Sequence, residues 1–182
     1  RGPQGTLEGM NSEGGAIKDK DEDLTLTDVV LQNNHADGDG GALWADGFNM
    51  DLNIVRTTFT GNTATSPFGT GGYGGAVSFG TQNGTVPAPF TITATTFEGN
   101  NAVRTGGAAG PGAGGAIAAR TIDSVLDIQD STFVDNLLGG YTGGIGSAIW
   151  VDEVAGSLFL TNSTVSGSGN WEINIENAGD GT

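Results

Sequence analysis

The sequence predicts an all-β protein, a right-handed single-stranded parallel β-helix of about five coils, each built from three short strands. Three observations predict it. Two different motifs alternate along the chain. Equivalent positions in successive copies carry the same side-chain chemistry. No segment sustains a helical period, because glycine interrupts each candidate.

The first strand of each coil follows a Gly-Gly-Ala-aliphatic motif: Gly14-Gly15-Ala16-Ile17, Gly40-Gly41-Ala42-Leu43, Gly74-Gly75-Ala76-Val77 and Gly114-Gly115-Ala116-Ile117. Gly146-Ser147-Ala148-Ile149 is a decayed fifth copy. Copies recur at intervals of 26 to 40 residues, within the solenoid range. The glycine pairs are expected at a tight corner where backbones approach closely.

The second strand is apolar-x-apolar. Its columns are Leu24, Leu52, Phe90, Leu126, Leu158 and Leu26, Ile54, Ile92, Ile128, Leu160. The alternation buries one face. The parity then breaks, which predicts a bend at Thr27-Asp28, Val55-Arg56, Thr93-Ala94, Gln129-Asp130 and Thr161-Asn162.

The third strand is Thr/Ser-x-Phe-x-x-Asn. Its apolar column is Leu31, Phe59, Phe97, Phe133, Val165, followed by Asn34, Asn62, Asn100, Asn136, Ser168. Stacking at the strand spacing of roughly 4.8 Å makes Phe59, Phe97 and Phe133 an aromatic ladder and the four asparagines an amide ladder. An inward asparagine is costly without such a partner, so its recurrence supports the stack. The hand follows from the right-handed preference of parallel crossovers. Length varies between the Asn and the next Gly-Gly, as in Ala64 to Tyr73 and Val103 to Ala113, and again at Gly80 to Pro89. These stretches are expected to be corner loops.

One domain over residues 1–182 is expected. The start at Thr6-Leu7-Glu8-Gly9 looks like the end of a third strand. Trp171, Ile173 and Ile175 read as one face of a strand opening a further coil. The expectation is a processed piece of a longer solenoid, or a subunit that self-associates through its coil ends into filaments.

The alternation of Gly-Gly-Ala-Ile with Phe-x-x-Asn resembles the repeats of the chlamydial polymorphic outer-membrane proteins and of related bacterial surface β-helices of the pectin-lyase-like class. Phe59-Thr60-Gly61-Asn62, Phe97-Glu98-Gly99-Asn100 and Phe133-Val134-Asp135-Asn136 carry the resemblance, which spans Gly14 to about Ser168. Leu31, Val165 and Ser168 depart from it. The resemblance implies an exported adhesive or scaffold passenger, extracellular or on a cell surface, with a glycan or a host or cell-surface protein as partner.

The net charge of −15 argues against nucleic acid, and the lack of a long apolar run against membrane insertion. Acidity suits solubility, cations or a cationic partner. Asp37-Gly38-Asp39-Gly40, with Asp46 nearby, is the candidate calcium loop, through Asp37, Asp39 and Asp46. A second acidic cluster is Asp19, Asp21, Glu22 and Asp23. No catalytic set is evident: His35 is the only histidine, and Asp127 and Asp130 straddle a bend. Trp44 and Trp150 follow the aliphatic residue of their strands and so face outward. With Trp171 they are candidates for a protein interface or a sugar contact. The leading expectation is a noncatalytic structural or adhesive module. A polysaccharide-active lyase or hydrolase and a carbohydrate-binding module are the alternatives.

Overall fold

The computed structural model describes residues 13–47, 50–66, 72–82, 90–104, 113–122, 125–139, 146–152, 157–168 and 171–176. All regular structure among them is β-strand, and no helix able to cross a membrane occurs there.

The first coil runs through β1 (Ile17–Lys20), β2 (Leu24–Thr27), β3 (Val30–Gln32) and β4 (His35–Ala36). The second contains β5 (Leu43–Asp46), β6 (Leu52–Val55), β7 (Thr58–Thr60) and β8 (Thr63–Ser66). The third contains β9 (Val77–Gln82), β10 (Phe90–Thr93), β11 (Thr96–Glu98) and β12 (Asn101–Arg104). The fourth contains β13 (Ile117–Ile122), β14 (Val125–Gln129), β15 (Thr132–Val134) and β16 (Leu137–Gly139). Then come β17 (Ile149–Asp152), β18 (Ser157–Thr161), β19 (Thr164–Ser166) and β20 (Ile173–Glu176).

Like strands of successive coils pair in parallel to form four sheets: β1-β5-β9-β13-β17-β20, β2-β6-β10-β14-β18, β3-β7-β11-β15-β19 and β4-β8-β12-β16. The protein is a parallel β-helix. The predicted columns are the observed registers, with Leu24, Leu52, Phe90, Leu126 and Leu158 in line, and Leu31, Phe59, Phe97, Phe133 and Val165 in line.

One feature corrects the expected three strands per coil. A fourth strand follows each ladder asparagine in the first four coils. It takes up the beginning of the stretches expected to be loops, as where Thr63–Ser66 overlaps Ala64 to Tyr73. Its buried apolar residues are all alanines, Ala36, Ala64 and Ala102, and its other buried residues, Ser66 and Arg104, are polar, so it gives almost no hydrophobic signal. Residues 67–71, 83–89 and 105–112, in the other parts of those expected loops, lie outside the described residues.

The bends have a shared backbone cause. Asp28, Arg56, Ala94, Asp130 and Asn162 all adopt positive φ, between 46° and 57°. Each is the second residue of a predicted bend. Left-handed backbone costs an L-residue roughly 1–2 kcal/mol, and asparagine and aspartate bear it best. Ala94 has no such side chain. Ala94→Gly is therefore expected to raise stability by about 1 kcal/mol, read from the denaturant midpoint. An unchanged or lowered midpoint would contradict the strain.

The corner before β5 needs both of its glycines. Gly40 sits at φ 67°. A Cβ on Gly41 would lie 2.0 Å from the Gly75 carbonyl oxygen, inside the next coil's backbone.

The core fills the coil interior. Phe59 and Phe97 stack with ring centroids 4.9 Å apart, and Phe97 and Phe133 4.7 Å apart, with the ring planes nearly parallel in both cases. Phe79 and Phe90 pack at 4.8 Å in a tilted pair. The asparagine ladder runs beside the rings. Each Nδ2 of Asn34, Asn62 and Asn100 donates to the next coil's Oδ1 at 2.9 Å.

Candidate functional site

The first sheet presents its outer face through two residues per strand. One outer column is Lys18, Trp44, Ser78, Ala118, Trp150, Asn174, and the other is Lys20, Asp46, Gly80, Arg120, Asp152. Both columns lose bulk on the third coil, where Ser78 and Gly80 stand. The result is a notch of about 210 Å³ floored by these two residues. Trp44 and Asp46 wall it on one side and Arg120 on the other, with Glu13 and Asp39 at its margin.

The charged groups around the notch are mostly paired. Lys18 reaches Glu13 at 2.6 Å and lies 4.8 Å from the centre of the Trp44 ring. Arg120 reaches Asp39 at 3.1 Å. Asp39 also accepts the Tyr73 backbone N–H at 3.1 Å. Burial pushes the Asp39 carboxyl above the usual carboxylate range, opposed by the Tyr73 hydrogen bond and the Arg120 charge. The Arg120 guanidinium in turn lies 4.9 Å from the Tyr73 ring centre. Asp46 differs from its neighbours: its Oδ1 is buried and has no hydrogen-bond partner.

Trp150 does not form part of an open surface. It faces outward from the coil, as alternation requires, but Tyr73 stacks on it at 5.2 Å and leaves it 5% exposed. Ala113 and Ala118 are small enough to let Tyr73 reach across them. Trp150 therefore cannot stack on a sugar or a partner, contrary to the expectation. Trp44 remains half-buried beside the notch. Trp171 is 72% exposed, but it lies before β20 in a left-handed conformation, not on a strand face with Ile173 and Ile175.

The expected calcium set is not assembled. Among the described residues no three His, Asp or Glu side chains converge to hold a metal ion. Asp37 and Asp39 are two residues apart but engage different sheets. Asp37 meets His35 at 3.0 Å and Thr65 at 3.3 Å beside the fourth sheet, while Asp39 turns to Arg120 on the first. Asp46, on β5, shares the border of the notch with Asp39 but not with Asp37. The acidic cluster at the end of β1 is spread as well: Asp19, within β1, sits in the column of core residues Ala45 and Phe79, and Asp23 accepts the Asp51 backbone N–H at 2.8 Å.

The His35 cluster resembles a nucleophile relay only in composition. Thr65 Oγ1 and Asp37 Oδ1 both contact the same ring nitrogen, Nε2, at 3.3 and 3.0 Å. A relay needs the carboxylate on one nitrogen and the hydroxyl on the other. Asp127 and Asp130 turn apart, the first accepting from Gln129 at 2.7 Å and the second from Asn162. Asp28 is held below its ordinary range by the hydrogen bond and charge of Arg56 on the next coil.

The notch was not foreseen from the sequence. In the sequence Trp44, Asp39 and Asp46 read as candidates for other roles, Gly80 reads as the start of a corner loop, and Ser78 and Arg120 carry no signal of their own. Their signal is the drop in side-chain size along the outer columns, visible only after the register is known. Comparison with family models, with curated proteins and with solved structures finds no match.

Proposed function

We propose that this chain is a noncatalytic structural module, a stiff segment of an extracellular or cell-surface β-helix that carries or spaces a binding surface. The observation that carries this reading is the unbroken interior. Amide and aromatic ladders run through successive coils, and the same positions are reused for packing in each. Chemistry-bearing groups on the outside are largely tied to one another: Glu13 to Lys18, Asp39 to Arg120, Asp28 to Arg56 and His35 to Asp37. Such pairing holds charge in place on a solvated surface and leaves little of it for proton transfer. The net charge of −15 suits a soluble surface outside the cell.

The test is an assay for release of new reducing ends and of unsaturated products from a panel of acidic and neutral polysaccharides. The expected result is no turnover above a heat-denatured control. Turnover that copurifies with the protein and falls in Asp39→Asn or Asp46→Asn would establish the polysaccharide-active alternative instead.

A further inference from the structure

The notch over Ser78 and Gly80 has a chemical bias that a structural role does not need. Three carboxylates border it, Glu13, Asp39 and Asp46, against one guanidinium of Arg120. Two of the three have their own cation, through Lys18 and Arg120. Asp46 does not. Lys20 lies in register with it on the first coil, yet no ion pair joins them among the described residues. Oδ1 of Asp46 instead points toward Gly80, where an added Cβ would come within 3.9 Å of it. Oδ1 is closed to solvent, so a ligand reaches this carboxylate at its other oxygen, and a positively charged donor there best offsets the cost of leaving Oδ1 without a partner.

Trp44 supplies the second element. Its ring already accepts one cation, the Lys18 ammonium at 4.8 Å, and it also lines the notch. An indole beside an excess of carboxylate suits a cation with a short alkyl stem, which gains from the ring face and from the charge together. The acidity of the whole chain would draw such a ligand toward the surface. Space is the third element. Ser78 and Gly80 leave about 210 Å³ open, on the scale of one small group.

We propose that the notch formed by Trp44, Asp46, Ser78, Gly80 and Arg120 binds one compact organic cation, a guanidinium or primary ammonium group. Asp46 accepts its N–H donors, Trp44 packs against its stem and charge, and the bare floor at Gly80 gives it access. The cation comes either from a basic peptide side chain or from a free polyamine. Binding of this kind is independent of the noncatalytic reading.

The experiment is a titration of the full chain at low salt, followed by the Trp44 indole N–H resonance and by calorimetry. The probes are n-propylguanidinium and n-butylammonium, with n-propylurea as the neutral isostere and glucose as a neutral polyol. Saturable binding of the cations is expected with a Kd on the order of 1 mM, at least tenfold tighter than either neutral probe. It weakens in about 1 M salt. Asp46→Asn, which keeps the shape, is expected to weaken binding about tenfold. Gly80→Leu, which fills the floor, is expected to abolish it, and circular dichroism checks that the fold persists in both variants. Gly-Arg-Gly and spermidine distinguish the sources: the tighter of the two identifies peptide or polyamine. No saturation by either cation, equal binding of propylurea or glucose, or an unchanged Kd in Asp46→Asn would overturn the proposal.

Discussion

Asn100→Ala is expected to lower stability by about 5 kcal/mol. The side chain is fully buried and uses every valence it has. Its Oδ1 accepts the Asn62 backbone N–H at 3.0 Å and the Asn62 Nδ2 at 2.9 Å. Its Nδ2 donates to the Phe59 carbonyl at 3.0 Å and to Asn136 Oδ1 at 2.9 Å. Truncation strands two donors of Asn62 and the Phe59 carbonyl, at roughly 1–3 kcal/mol each, where water has no easy access. Asn136 Oδ1 keeps the Asn100 backbone N–H at 3.1 Å and so suffers less. Asn100→Asp separates this account from simple cavity formation. As a carboxylate it offers no donor to Phe59 or Asn136, whereas the neutral acid offers one. Its folded pKa is then raised above the unfolded value of ~3.9, so the variant is least destabilised below that value and loses stability as pH rises through the folded pKa. Chemical denaturation of the parent and both variants between pH 3 and 7 measures this. A loss under about 1 kcal/mol for the alanine variant, or a pH-independent loss for the aspartate variant, would contradict the ladder.

Phe97→Ala is expected to cost roughly 3–5 kcal/mol. The ring lies between Phe59 and Phe133, with centroids at 4.9 and 4.7 Å, and is wholly buried. Its neighbours are held by their own strand registers and cannot close the gap. The loss therefore includes both the transfer of the ring and the cavity left between two aromatic faces. Phe97→Leu is expected to cost much less, under about 2 kcal/mol, because the same column accepts Leu31 and Val165 near its ends. Urea midpoints of the two variants test the difference. Similar losses in both would mean that the stack contributes through something other than filled volume.

The regular interior was legible because it repeats at the coil period. Leu52, Phe90 and Leu126 lie far apart in sequence, yet each occupies the same phase of a two-residue alternation. Parity breaks placed each bend at a dipeptide, and the second residue of each, Asp28, Arg56, Ala94, Asp130 and Asn162, is the left-handed corner. The asparagine ladder could be read for a different reason. A polar residue recurring at a buried phase has few satisfied solutions, and pairing with its own copy in the next coil is one.

What carried little apolar surface, or depended on contacts between unlike residues of different coils, was not legible. The fourth strand carries Ala36, Ala64 and Ala102 at its buried positions, too little apolar surface over two to four residues to stand out. Alternation placed Trp150 on the outer face correctly but could not show Tyr73 above it, since that contact depends on alanines of the intervening coil.

The sequence by itself determined the stacking of coils, the positions of the corners and the composition of the interior ladders, because these depend on residues that recur in phase. Tertiary structure alone decided how the outer groups combine. Asp37 and Asp39 are near neighbours in the chain, but the corner between β4 and β5 sends one to Thr65 and the other to Arg120. The notch arises because Asp46, Gly80 and Arg120 come from three successive coils with unlike residues in one column. Outer columns need not match from coil to coil, so their neighbours are set by register and corner geometry, which no local pattern records.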